Sequence, residues 1–115
     1  MKTPDNTKKK VFQNRRDTMT KPYYADYINR MLRFYSRKGP VYKTNIDEIN
    51  YKCVDKVLGK LNPSDKELII DIYKRGDTLA DNIYQVSKER NINQEKLWTI
   101  VNKISKAIAR ERRLI

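Results

Sequence analysis

Histidine is absent from this chain of 115 residues, and Cys53 is its single cysteine. One thiol cannot form an internal disulfide, and without histidine or paired cysteines the usual ligands of a zinc site or a metal-dependent hydrolase are missing. Cys53 falls at a core position of a predicted helix, where cysteine acts as a small buried apolar side chain. The sequence therefore predicts no metal, no cofactor and no catalytic thiol.

Long apolar runs are missing as well. No stretch approaches the ~20 apolar residues that cross a bilayer, and no signal-peptide core follows the basic N-terminus, so we expect an intracellular protein without membrane contact. No segment shows a lasting period-two alternation, so we expect an all-α fold without strands. The length suits one domain and excludes a multidomain enzyme.

Positive charge is what the sequence has in excess, with a net charge of +12. Residues 1–40 carry 11 basic and 3 acidic side chains, residues 41–85 carry 7 and 8, and residues 86–115 carry 8 and 3. Two basic ends around a neutral centre are typical of nucleic-acid-binding proteins. The alternative is a basic protein that is merely soluble or that binds a membrane surface.

We divide the chain into a basic arm and a helical domain. Residues 1–19 show no sustained apolar period and are interpreted as a flexible basic arm, which either contacts phosphates or is a solvated tail. Residues 20–115 are predicted to form one domain of about five helices. The first helix is expected from Thr20 to Arg37, with Pro22 in its first turn. Its expected apolar face consists of Tyr24, Tyr27, Ile28, Met31, Phe34 and Tyr35.

Two further helices begin with capping signals. Thr44 or Asn45 is predicted to cap the second helix, and Asn62 with Pro63 at the first helical position to begin the third, which Gly76 closes. The expected buried stripe of the second helix is Ile46, Ile49, Cys53, Val57 and Leu58. The expected inner face of the third helix is Leu68, Ile69, Ile72 and Tyr73.

Residues 79–104 follow the pattern of a helix-turn-helix. Asn91 stands at the turn, because asparagine tolerates the left-handed backbone better than any residue but glycine, and Asn93 suits the N-cap of the second helix. Ser87 and Arg90 depart from the pattern, which has apolar side chains at both positions. The residues expected to fill the angle between the helices are Ile83, Val86, Ile92, Leu97 and Ile100.

The last helix is predicted to be long and basic, running from Gln94 to about Arg112. Its apolar stripe continues beyond the helix-turn-helix and needs cover from the first helix or from a second subunit. We favour a homodimer, because many such regulators bind paired half-sites of DNA.

The contact positions of a helix-turn-helix predict which side chains meet DNA. Those expected at base edges in the major groove are Asn93, Gln94, Glu95, Trp98, Thr99 and Asn102. Amide side chains can pair with adenine, a carboxylate can accept from cytosine, and a threonine methyl can touch thymine. Trp98 has a second interpretation, since it can instead cover the first helix or a dimer seam. The side chains expected at phosphates are Lys88, Lys96, Lys103, Lys106 and Arg110.

Residues 57–114 resemble region 4 of the sigma factors, which has a leucine-proline helix start, an apolar helix ending in tyrosine, and a helix-turn-helix. The matching residues are Leu61, Pro63, Leu68, Tyr73, Val86, Ile92 and Leu97. The chain is also similar to small phage transcriptional activators of the ArpU and RinA type, on the residues Leu97-Trp98 and the basic tail Lys106-Ala107-Ile108-Ala109. The resemblance implies promoter DNA binding and contact with bacterial RNA polymerase.

The sequence thus predicts a sequence-specific regulator of transcription that binds double-stranded DNA. We expect it to be encoded by a phage or mobile element and to act in the bacterial cytoplasm at the nucleoid. The alternative is a phage DNA-packaging, assembly or adaptor protein that uses the helix-turn-helix for loose DNA binding or oligomerisation. An enzyme such as a tyrosine recombinase is disfavoured, because it needs a base and a larger catalytic domain around one tyrosine.

Overall fold

The computed structural model describes residues 22–115, and in this part of the chain all regular structure is helical. The helices are α1 (Ala25–Lys38), α2 (Asn45–Leu58), α3 (Pro63–Tyr73), α4 (Leu79–Arg90) and α5 (Gln94–Glu111). The expected all-α fold is confirmed. The predicted arm, residues 1–19, lies outside the described residues. No helix between residues 22 and 115 combines the length and the apolar character that a membrane span requires.

The helices enclose one apolar core. α1 packs against α2, α3 and α5, while α2 also contacts α5 and α4 lies between α3 and α5. Each helix contributes side chains without solvent exposure, among them Ile28, Leu32, Val54, Leu58, Ile69, Ile72, Ile83, Val86, Leu97 and Ile108. The apolar stripe of α5 is therefore covered by α1 and α2 of the same chain.

The start of α1 differs from the prediction. The helix begins at Ala25, and Pro22 precedes it in a turn. The Pro22 carbonyl accepts a hydrogen bond from the Ala25 amide at 3.0 Å. Tyr24 occupies the N-cap without forming a side-chain cap. The buried face also includes Leu32, which was missing from the expected set, whereas Tyr24, Tyr27 and Phe34 are only half-buried.

The cap of α2 was predicted correctly, but its buried face was not. The Thr44 hydroxyl accepts a hydrogen bond from the Asp47 amide at 3.1 Å. Ile46 and Ile49 are 49% and 45% exposed, and Ile46 lines an open groove of about 250 Å³ between the first turns of α2 and α1. Val54, which was not in the expected stripe, is fully buried. Val57 and Leu58 are buried as predicted, whereas Cys53 is only half-buried.

The start and the inner face of α3 are confirmed. The Asn62 side chain accepts a hydrogen bond from the Asp65 amide at 2.8 Å, and Pro63 occupies the first turn. Tyr73 is buried and its hydroxyl donates to Asn29 Oδ1 at 3.0 Å, while burial raises the pKa of the phenol. The helix ends at Tyr73, before the predicted terminus Gly76, which takes part in the connection to α4.

Truncation of a buried side chain of α5 should destabilise the domain far more than truncation of an exposed one. Leu97→Ala is expected to lower the free energy of unfolding by about 2 to 5 kcal/mol, since it leaves a cavity between the helices. Ile46→Ala, the exposed control, should change it by less than about 1 kcal/mol. Urea unfolding followed by circular dichroism measures both. Equal losses would mean that Leu97 is not in the core.

Candidate nucleic-acid interface

The turn between α4 and α5 is closed by backbone and side-chain hydrogen bonds. Asn91 adopts the left-handed conformation, with φ 55° and ψ 49°, and its amide donates to the Ser87 carbonyl. The Ile92 amide donates to the same carbonyl at 3.1 Å. Asn93 caps α5 by accepting a hydrogen bond from the Glu95 amide at 2.7 Å. The left-handed turn at Asn91 and the N-cap at Asn93 are both as predicted.

Ser87 has a structural reason to stand where an apolar residue was expected. Its hydroxyl donates to the Ile92 carbonyl at 2.5 Å, across the turn. A small apolar side chain at this position would leave that half-buried carbonyl without this partner. The hydroxyl therefore adds a side-chain bond to the two amide bonds that already converge on the turn.

Arg90, the second departure from the pattern, belongs to an ionic cluster. Its Nε and Nη2 atoms donate to Asp71 Oδ2 at 3.2 and 3.0 Å. Arg75 donates to both carboxylate oxygens of Asp71 at 3.1 Å and binds Glu89 at 2.7 and 2.8 Å. Burial disfavours ionisation of Asp71, but the hydrogen bonds from the two arginines outweigh it and lower the pKa of the carboxyl group.

The connection between α3 and α4 is fixed by two side chains. Arg37 of α1 donates to the carbonyls of Tyr73, Arg75 and Gly76 and pairs with Asp77 at 3.0 Å. Asn82, which is 3% exposed, accepts from the Gly76 amide and donates to the Gly76 carbonyl. Neither role was predicted from the sequence. Arg37 and its carbonyl partners are 36 to 39 residues apart, so no local pattern relates them.

The residues predicted to contact bases lie at the start of α5, mostly on its outward side. Gln94, Glu95 and Asn102 are exposed. Asn93 is also exposed, but its side-chain oxygen is the cap of α5, and the Thr99 hydroxyl donates to the Glu95 carbonyl at 2.9 Å. The side-chain amide of Asn93 and the methyl group of Thr99 remain available to a ligand.

Trp98 lies at the margin of the outward face. It is half-buried and packs against the apolar core. This placement favours the interpretation in which the indole covers other helices of the protein over the one in which it contacts DNA.

The residues predicted to contact phosphates are exposed. They are Lys88 of α4 and Lys96, Lys103, Lys106 and Arg110 of α5. Within residues 22–115 no carboxylate forms an ion pair with any of them. Lys88 Nζ lies 5.5 Å from the ring centroid of Tyr84, a cation–π contact on the surface of α4.

The outward residues of α5 form one continuous stripe. Steps of three or four residues return to the same side of an α-helix. Such steps connect Glu95, Thr99, Asn102, Lys106 and Arg110, all of which are outside the core. The stripe changes from neutral and acidic side chains near the turn to basic ones toward the C-terminal end. We call it the outward stripe of α5.

No model of a known protein family matches the chain, and neither the curated proteins nor the solved structures contain a match. The likeness to sigma region 4 therefore remains a prediction from its motif residues. Within residues 22–115 no group of three histidine, cysteine, aspartate or glutamate side chains is placed to hold a metal ion.

The left-handed residue of the turn can be tested with two substitutions. Asn91→Gly should keep or slightly raise stability, because glycine adopts this backbone without a steric penalty. Asn91→Val should lower the free energy of unfolding by about 1 to 2 kcal/mol, since a β-branched side chain is strained there. Thermal unfolding of the two variants and the parent measures these differences in stability. Equal stability of the glycine and valine variants would contradict the turn geometry.

Acid should weaken the Asp71 cluster. The pKa of Asp71 is lower in the folded chain than the ordinary value of about 3.9, so its stabilisation is complete above that value and is lost as the pH falls through the folded pKa. Asp71→Asn should cost about 1 to 2 kcal/mol at neutral pH and clearly less near pH 2. Urea unfolding at both pH values measures this, and a cost independent of pH would contradict the assignment.

Proposed function

We propose that α4, the turn and α5 act as a helix-turn-helix through which the chain binds double-stranded DNA in a sequence-specific manner and regulates transcription. The observation that carries the proposal is the outward stripe of α5. Its basic side chains have no ionic partner among the described residues, and the opposite side of the helix is buried. A helix with this division can present its free side to a DNA groove.

The rigid attachment of α5 supports the proposal. Reading base edges requires that the helix enters the groove at a reproducible angle. The closed turn from Ser87 to Asn93 restricts that angle on one side. On the side that faces the core, the packing of Ile83, Val86 and Leu97 restricts the same angle, since none of these residues is exposed.

The order of residue types along α5 supports a division of tasks. Gln94, Glu95 and Asn102 carry hydrogen-bonding groups suited to base edges, and Thr99 offers a methyl group for thymine. Lys103, Lys106, Arg110 and the flanking Lys88 and Lys96 supply positive charge for phosphates, which positions the protein without reading sequence. The positive N-terminal end of the helix dipole adds to the attraction.

The biological setting is part of the same proposal. On the resemblance to sigma region 4 and phage activators, we assign the regulator to a phage or mobile element and expect contact with bacterial RNA polymerase. Binding as a homodimer to paired half-sites belongs to this proposal too.

A second candidate function is that of a packaging or assembly protein. It is favoured by exposed apolar side chains around the start of α2, namely Val41, Tyr42, Ile46 and Ile49. Neighbouring exposed apolar groups of this kind often mark contacts between protein chains. Multi-angle light scattering distinguishes the candidates, because a large ring or higher oligomer favours assembly and a monomer or dimer favours the regulator.

Neighbouring substitutions in α5 should separate base contacts from phosphate contacts. After selection of the preferred DNA fragment, Asn102→Ala should weaken binding to it by about 1 to 3 kcal/mol and leave binding to random DNA unchanged. Lys103→Ala should weaken both and lower the slope of log affinity against log salt by about one. Fluorescence anisotropy at several salt concentrations measures these affinities.

The matched control is Lys43→Ala, which removes one exposed lysine from the segment before α2. It should leave the affinity for the selected fragment and the salt slope close to those of the parent. Equal losses on selected and random DNA from Asn102→Ala would remove the base-reading role. Absence of any preferred fragment would leave only phosphate contacts and favour the assembly function.

A further inference from the structure

A groove runs along the side of α5 next to the end of α2, away from the centre of the outward stripe. Its volume is about 380 Å³, and apolar side chains of both segments line it, including Val57, Leu61, Ile104 and Ala107. Leu61 and Ala107 are half-exposed at its surface. This volume lies within the range of about 300 to 1,000 Å³ that is usual for ligand-binding clefts.

The charged margin of the groove is mostly basic. Lys60 lies on the α2 side, and Lys103 and Arg110 lie on the α5 side. Glu111 also borders the groove, but Lys56 binds its carboxylate at 2.9 Å and lowers its pKa. The carboxylate is thereby partly neutralised, while no ion pair to Lys60, Lys103 or Arg110 occurs within residues 22–115.

We infer that this groove binds a helical segment of a partner protein that inserts apolar side chains between α2 and α5 and presents acidic side chains to Lys60, Lys103 and Arg110. Helices that dock in this way repeat apolar anchors at steps of three, four and seven residues. The apolar lining provides burial, and the basic margin selects an acidic partner.

The other possible occupants of the groove fit its basic margin or its apolar lining less well. Residues 1–21 of the chain carry seven basic and two acidic side chains, which the basic margin would repel. A second copy of the chain has a net charge of +12, so the basic margin would repel it as well. DNA has the required negative charge but no flexible apolar side chains to fill the groove. An acidic protein helix satisfies both requirements.

The groove and the predicted DNA contacts share residues. Lys103 and Arg110 border the groove and are also predicted phosphate contacts. A bound acidic helix would therefore compete with DNA for these two side chains. This competition rests on the proposed DNA-binding function. Binding of the acidic helix to the groove does not depend on that function.

The test uses the full chain and a synthetic helical peptide of about 14 residues, with leucines at steps of three and four and glutamates at the other surface positions. Fluorescence anisotropy measures its affinity. Lys60→Glu should lower the affinity about tenfold or more, because it reverses one charge of the margin. Lys43→Glu changes the net charge equally outside the groove and should have less than a third of that effect. Circular dichroism confirms that both variants fold.

A second peptide, with serines in place of the leucines, should bind at least about tenfold more weakly. Amide chemical shifts should change at residues 57–61 and 103–111 when the first peptide is added. Failure of the first peptide to bind, equal binding of the two peptides, or equal losses in Lys60→Glu and Lys43→Glu would overturn the inference.

DNA measurements separate this inference from the proposed function. Lys60→Glu should leave DNA affinity within about twofold to threefold of the Lys43→Glu control, since Lys60 is not among the predicted phosphate contacts. A loss of DNA affinity as large as the loss of peptide affinity would assign the margin to DNA and overturn the inference. Peptide binding by a chain that shows no preferred DNA site would support the groove while removing the proposed function.

Discussion

The angle between α4 and α5 is the constraint on which the candidate site depends. A left-handed Asn91 reverses the chain, and the Ser87 hydroxyl and the Asn93 side chain hold the turn closed. The same angle brings Ile83 and Leu97 into contact with the core, where neither is exposed. Because turn and core favour the same arrangement, a change in the direction of α5 would cost both hydrogen bonds and apolar burial.

Polar side chains hold the connections that the apolar core does not reach. Arg37 binds the carbonyls that follow α3, and Asn82 closes the same loop through both polar groups of Gly76. Asp71 joins Arg75 and Arg90, and so links α3 to the end of α4. In a chain with 35% charged residues, several of these groups are therefore part of the scaffold and are not available to a ligand.

The basic groups of α5 differ from those scaffold arginines. Lys96, Lys103, Lys106 and Arg110 are exposed and have no ion pair within residues 22–115. All four belong to the proposed DNA interface, and two of them also border the proposed partner groove. Lys103 and Arg110 border both surfaces, so the two ligands would influence each other without any change in the fold.

The local features could be predicted from the sequence alone. Caps such as Thr44 and Asn62, the turn residue Asn91 and the outward position of Glu95 and Asn102 all depend on neighbours within a few residues or on the helical period. The packing of the helices determines which side of α2 is buried, because that depends on the positions of α1 and α5. It also determines that Arg37 belongs to the loop after α3, since a hydrogen bond between residues 36 positions apart has no local signature.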